Sequence, residues 1–232
     1  MTVVAIHQPT FLPWLGLWDK LARADVFVLL DDVQFPKKGG TWMNRVRMLV
    51  GGEPRWVTMP VDRAYAGTRT VREMRIDDSK PWREGVLATI RSSYRNAPYT
   101  GEVLPFVEES LSAPTPFVAE LNERAIRLLA GKLGLGASKL VHQSELSCSG
   151  TGTQLLVELC VAVGGDTYLS GDGADGYLEP ERFREAGLAL RYTEFTPPRY
   201  AQPVPDHLAG LSVVDALMNC GWEGTAALIT GR

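Results

Sequence analysis

Cysteine is scarce: Cys148, Cys160 and Cys220 are odd in number and widely spaced. That excludes a disulfide framework and a close-spaced zinc site. No uninterrupted apolar run approaches the roughly 18–20 residues that span a bilayer, so no membrane partner is expected. The opening residues lack the basic n-region of a secretory signal, and their apolar run breaks at His7-Gln8-Pro9, so cytoplasm is the expected compartment. Lys and Arg total 24 against 27 Asp and Glu. A nucleic-acid partner is therefore not expected, because phosphate-backbone binders carry a basic excess. Missing too are the phosphate-binding pattern G-x-x-x-x-G-K-[ST] and the serine elbow G-x-S-x-G.

What is present is the pattern of an ordinary globular α/β chain. The 232 residues, 45% of them hydrophobic, suffice for one good core. Val3 to His7 and Val26 to Asp31 read as buried strands, apolar on both faces. Between them, Phe11 to Ala24 has helical apolar spacing, with Pro13 suited to a first turn. Strand, helix and strand in about 30 residues predict a right-handed βαβ unit with parallel strands. Alternation in RWVTMPV and TVREMRID predicts edge or antiparallel strands. Helical periodicity over 82–135 predicts a helical insertion within a single domain of 1–232. Strands are expected again in KLVHQSEL, DTYLSGDG and ALRYTEF. A late helix should have Ser212 as its N-cap and Gly221 as its stop. The expected fold is a three-layer, parallel-sheet, Rossmann-like core.

Ligands of open parallel sheets sit beyond the carboxyl ends of the strands. His7, Asp31-Asp32 and Ser170-Gly171-Asp172-Gly173 all fall there on this reading. A lone histidine after a strand is more often structural. A carboxylate from Asp31 or Asp32 would fix its tautomer and raise its basicity, making it a general base. In an extended strand the two aspartates point opposite ways, so at most one can join His7. His7 plus one aspartate makes no metal site. Lys37, Lys38, Asn44 and Arg45 read either as a solvated loop or as a clamp for phosphate or carboxylate. The run Ser170 to Gly176 lacks the spacing and terminal Glu of a calcium loop, and reads as a glycine turn that lets a ligand approach the backbone. Thr151 or Thr153 is expected to cap the helix after Gly150. Trp14, Trp18 and Trp42 are candidates for a pocket wall.

The stretches HQPTFLPWLGLWDKLARADVFVLLDDVQFPKK, WMNRVRML, SYRNAPY, YLSGDGADGYLEPERF, RYAQP and LSVVDALMNCG resemble the WbqC-like protein family. The resemblance runs from about residue 4 to residue 221. It implies shared polar positions at His7, Gln8, Lys20, Asp31, Asp32, Gln34, Lys37, Asn44 and Arg45, with Tyr94, Tyr177, Tyr200 and Gln202 from later motifs. The implied activity is attachment of a glycyl or other amino-acyl group to a sugar amine. A looser similarity to adenylyl-transferring enzymes with a His-x-Gly-His motif lacks the second histidine.

The reading is an enzyme that forms an amide by acyl or amino-acyl transfer to an amine of a small molecule. His7, oriented by Asp31 or Asp32, would take the amine proton. Arg45, Lys37 and Asn44 would meet developing negative charge, and Gln8, Gln34 and Ser170 would contact substrate. The alternatives are an ATP-dependent adenylating or nucleotidyl-transferring enzyme, using ATP and magnesium that no motif supports, and a non-catalytic sugar-nucleotide-binding protein.

Overall fold

The computed structural model describes residues 1–136, 139–174 and 176–231. Strand β1 (Val3–His7) leads through helix α1 (Leu15–Arg23) to β2 (Val26–Leu29). A hairpin, β3 (Arg45–Val50) and β4 (Glu53–Thr58), follows. Then come α2 (Trp82–Tyr94), α3 (Thr100–Leu111) and α4 (Val118–Lys132). The chain returns to the sheet as β5 (Leu140–His142), crosses over through α5 (Gly152–Ala162) to β6 (Thr167–Ser170), and passes α6 (Pro180–Glu185) to β7 (Ala189–Tyr192). Helix α7 (Val213–Thr230) closes the fold.

The main sheet runs β5-β2-β1-β6-β7, and every pairing in it is parallel. The chain winds outward from β1 through β2 to β5, then crosses back to the other side of β1. The direction of winding therefore reverses between β1 and β6. The alternating side chains of each strand divide between two cores. Ala5, Phe27, Leu29 and Leu169 pack with Leu17 and Leu21 of α1, Ile126 of α4 and Leu217 of α7. Val4, Ile6, Val28 and Tyr168 pack with Leu155 and Leu159 of α5 and Phe183 of α6. Helices on both faces explain why β1 and β2 are apolar throughout. The α2–α4 segment shares the first core with α1, α7 and the hairpin.

Four elements differ from their sequence patterns. Helix α1 begins at Leu15, four residues after Phe11. Pro13 disfavours helix at the residue before it, and Leu12 takes a left-handed φ of 41°. TVREMRID forms no strand: it is pinned to the end of β2 by Val71 N to Val33 O (2.9 Å) and Arg72 N to Asp31 O (2.8 Å). Ser212 does cap α7, its Oγ accepting from Val214 N at 3.2 Å. Gly221 does not end that helix but kinks it, at φ 70° and ψ −174°, and the helix resumes to Thr230. Thr151 occupies the cap position of α5 with no side-chain capping bond, while Thr153 Oγ1 accepts from Glu179 N at 3.2 Å. Asp175, in the expected glycine turn, lies outside the described residues.

Candidate functional site

The β1–β6 ladder ends at Ala5 and Leu169, whereas β1 stays paired to β2 as far as His7 and Leu29. Beyond Ala5 the two strands part and leave a cleft at the reversal point of the sheet. The carbonyls of Val3 and His7 face β2, accepting from Asp25 N and Leu30 N. Strand alternation therefore turns the Ile6 carbonyl toward β6, where it has lost its ladder partner. The Lys20 ammonium takes that place, donating to Ile6 O at 2.7 Å.

Lys20 projects from α1 and is only 4% exposed. No carboxylate among the described residues pairs with it. Its remaining neighbours are the Tyr168 ring, 5.9 Å from Nζ to centroid, and the Cys160 thiol, which burial pushes up to about 12 and so keeps neutral. Burial brings the Lys20 pKa down to about 8. At neutral pH it is a buried cation with no counter-anion among the described residues.

His7 lines the same cleft. Its Nδ1 lies 2.9 Å from the Gln8 carbonyl oxygen, with Thr10 Oγ1 at 3.3 Å. A carbonyl only accepts, so Nδ1 carries the hydrogen and Nε2 presents a lone pair. Burial first, and the Lys20 charge second, lower the His7 pKa to about 4, against the opposing pull of the Gln8 carbonyl. The imidazole is neutral at pH 7.

The cleft encloses ≈ 470 Å³. Opposite His7, the β6 end supplies Ser170, Gly171 and Asp172, and the β7 end supplies Thr193. Asp172 accepts from Thr193 Oγ1 (3.1 Å), Glu194 N (2.8 Å) and Phe195 N (2.9 Å). Burial raises its pKa, but these bonds outweigh that and hold it below its ordinary value. The other wall is aromatic. Trp14 meets His7 edge-on at 5.7 Å between centroids, Trp42 lies 4.8 Å from Trp14, and Trp56 lies 5.1 Å from Trp42. The Arg45 guanidinium caps the row, 4.2 Å above Trp56, with a buried Nε that has no partner.

The structure brings His7, Lys20, Ser170 and Tyr177 to this cleft, with Trp14 and Trp42 in its wall. Tyr177 is exposed, its hydroxyl donating to Gly173 O at 2.7 Å. Ser170 is buried, and its Oγ donates to Gly171 O at 3.2 Å. Gln8 acts through its carbonyl. Trp18 is fully buried, and its indole donates to Pro13 O at 3.2 Å.

Neither aspartate reaches His7. Beyond Leu29 the chain turns tightly, Asp31 N donating to Leu29 O at 3.0 Å, and this carries the carboxylates toward β5 rather than β1. Asp31 accepts from Ser144 N (2.9 Å) and Ser144 Oγ (2.6 Å), while Asp32 pairs with Arg72 at 2.7 Å. Asp31 and Arg72 line a second, smaller cavity of ≈ 220 Å³ with His142 and Glu123. His142 Nε2 lies 2.7 Å from Glu123 and Nδ1 lies 3.1 Å from Glu145. Burial works to lower the His142 pKa, but bonding to the two carboxylates prevails and raises it. His142 ends β5 as His7 ends β1, and the two share one register row through Leu29. The strand-end rule that singles out His7 applies equally to it.

The remaining candidates do not line this cleft. Asn44 accepts from Thr41 N (3.0 Å) and donates to Met59 O (3.0 Å), fixing the turn into β3. Lys37 donates to Gly67 O (3.2 Å) and sits over the Tyr65 ring. Gln34 forms a backbone bridge with Thr70. Tyr94 and Tyr200 donate to Asp215 at 2.9 and 2.7 Å, and Gln202 joins them at 2.9 Å. Asp215 is fully buried at the start of α7. Tyr94, Tyr200 and Gln202 stood out in the sequence, whereas Asp215, which ties them together, shows only as an acid between apolar residues in LSVVDALMNCG. Thr193 and Phe195 lie at the carboxyl end of ALRYTEF, where the strand-end rule could have found them, although neither stood among the expected site residues.

Counting only the strands of the main sheet in chain order, their order is 3-2-1-4-5. That order, with a polar cleft where the winding reverses, defines a Rossmann-like α/β protein with a candidate site at its switch point. Residues 8–227 match the profile of the WbqC-like protein family, and the chain belongs to that family. A Mycobacterium tuberculosis (strain ATCC 25618 / H37Rv) relative, "Uncharacterized protein Rv1507c", is 26% identical over 225 residues, covering 96% of each chain. No solved structure matches the chain. No helix among the described residues is long and apolar enough to cross a membrane.

Proposed function

We propose that the protein is a biosynthetic enzyme that forms an amide, transferring an acyl or amino-acyl group to an amine of a sugar or other small metabolite, with the chemistry at His7. The observation that carries this reading is the free Nε2 lone pair of a neutral His7, facing a cleft that also holds the unpaired Lys20 cation. As the amine nitrogen bonds to the acyl carbon, its proton passes to His7 Nε2. The bond to the leaving group then breaks, and the same proton leaves with that group. Lys20 stands where negative charge develops on the acyl oxygen or the leaving group. The Lys20 charge also helps depress the His7 pKa, so an anionic substrate that neutralises Lys20 makes His7 a stronger base when it is needed.

The test is a mass-spectrometric screen for amide products. It pairs acyl thioesters, acyl phosphates and aminoacyl adenylates with amino sugars and other small amines. His7→Asn is expected to lose about 100-fold or more of the turnover. Asp32→Asn should keep most of it, because Asp32 pairs with Arg72 away from the cleft. Full turnover in His7→Asn would overturn the reading.

A further inference from the structure

We infer that the cleft at the β1–β6 switch point binds a nucleoside phosphate, with its phosphate on Lys20 and its base against the Trp14–Trp42 wall. The inference rests on the His7 cleft being the substrate site, and it names the class of substrate that site accepts.

Three independent features support it. The first is Lys20. An ammonium has three donors and Ile6 O uses one, so among the described residues a group buried this deeply is left short of both hydrogen bonds and countercharge. The cleft it lines is where an anion can supply both. The second is the aromatic wall. Trp42 is 39% exposed and Trp56 44% exposed, and their rings follow Trp14 out of the cleft at interplanar angles of 47° and 63°. Exposed indole rings beside a polar floor suit a flat ring, and the Arg45 guanidinium over Trp56 has an unmet donor. The third is Gly171, on the cleft floor directly after β6. It has no positive φ, and a Cβ placed there would meet nothing within 4 Å among the described residues. Neither the backbone nor the packing of this chain calls for glycine at 171, whereas close approach of a phosphate to the backbone does. The volume of ≈ 470 Å³ lies in the range of small-molecule and cofactor sites, roughly 300–1,000 Å³. Asp172 is an ionised carboxylate in the same cleft, its two oxygens engaged by three donors from 193–195, so the phosphate belongs on the Lys20 side.

The phosphate and base could belong to an acyl adenylate donor or to a nucleotide-linked sugar acceptor. The shared chemistry is the same, and the choice of base tells them apart. The experiment is calorimetric titration of the full chain with AMP, UMP, adenosine, ribose 5-phosphate and inorganic phosphate. AMP or UMP is expected to bind about tenfold or more tightly than adenosine, ribose 5-phosphate or phosphate. Preference for AMP assigns the donor, preference for UMP the acceptor, and equal binding supports recognition through phosphate and ring alone. Lys20→Met should weaken the nucleotide about tenfold or more while leaving adenosine unchanged. Trp42→Ala, an exposed position that tests the base independently of Lys20, should bring the nucleotide down to the affinity of ribose 5-phosphate. No saturable nucleotide binding at millimolar concentration, or binding that both variants leave intact, overturns the inference. Amide formation from nucleotide-free substrates without nucleotide binding would refute this inference alone. Nucleotide binding with no amide product from any pairing would refute the acyl-transfer reading alone.

Discussion

Lys20 is the residue whose environment departs furthest from what stability alone would select. A buried cation costs free energy unless it is paired, and this one has a single carbonyl and an aromatic face. If its role is to receive an anion, replacing it should stabilise the empty protein. Lys20→Met is expected to raise the unfolding free energy at pH 7 by about 1–3 kcal/mol, measured by urea denaturation. The pH dependence has a definite sign. The folded-state pKa, about 8, lies below the ordinary 10.5, so between those values the unfolded chain holds more protons than the folded one. The wild type should therefore gain stability from pH 8 to pH 10.5, and Lys20→Met should lack that gain. A loss of stability in Lys20→Met at pH 7 would show that Lys20 is a structural residue.

At the level of elements, local pattern and long-range pairing separate cleanly. The apolar runs of β1 and β2 and the spacing of Leu15, Trp18 and Leu21 were legible, because burial on a face leaves its period in the sequence. The alternation of TVREMRID was only half legible: its backbone pairs antiparallel at single bridges, Thr70 with Gln34, Arg75 with Phe117 and Ile76 with Val61, and no continuous ladder forms. Gly221 reads locally as a helix stop, since glycine favours the left-handed region. It is instead a kink against which Tyr99 packs. A Cβ at 221 would lie 2.7 Å from the Tyr99 ring, and the position has φ 70°. Gly221→Ala is expected to destabilise the protein by about 1–3 kcal/mol, read from thermal and denaturant melts. Gly51→Ala, at φ 62° in the β3–β4 turn with open space around it, should cost less, because only the backbone is strained there. Equal costs at the two positions would mean that the kink is not held by Tyr99.

Over the whole molecule, the place of the candidate cleft was legible and its lining only in part. Strand ends of an open parallel sheet mark a ligand cleft, and His7 and Ser170 do meet there. The expected pairing of His7 with Asp31 or Asp32 fails because β1 lies between β2 and β6, and the cleft opens on the β6 side. Strand order is a property of the assembled sheet, and no local period encodes it. The same holds for Asp215, which ties α2, α7 and the 200–202 segment together through Tyr94, Tyr200 and Gln202. Asp215→Ala leaves these donors unpaired in the core. It should cost about 2–4 kcal/mol in denaturant melts while leaving nucleotide affinity unchanged at temperatures where the variant stays folded. The proposed chemistry requires a neutral His7, with its Nδ1 hydrogen on Gln8 O and Nε2 free, and this can be measured without any substrate. Nitrogen NMR of the three histidines across pH 3 to 9 should show one imidazole, assigned through His7→Asn, that keeps the Nδ1–H tautomer and protonates only near pH 4. His142 should titrate above the ordinary 6.5. A His7 resonance that titrates near 6.5, or that carries its hydrogen on Nε2, would contradict the claim that this cleft holds a ready proton acceptor.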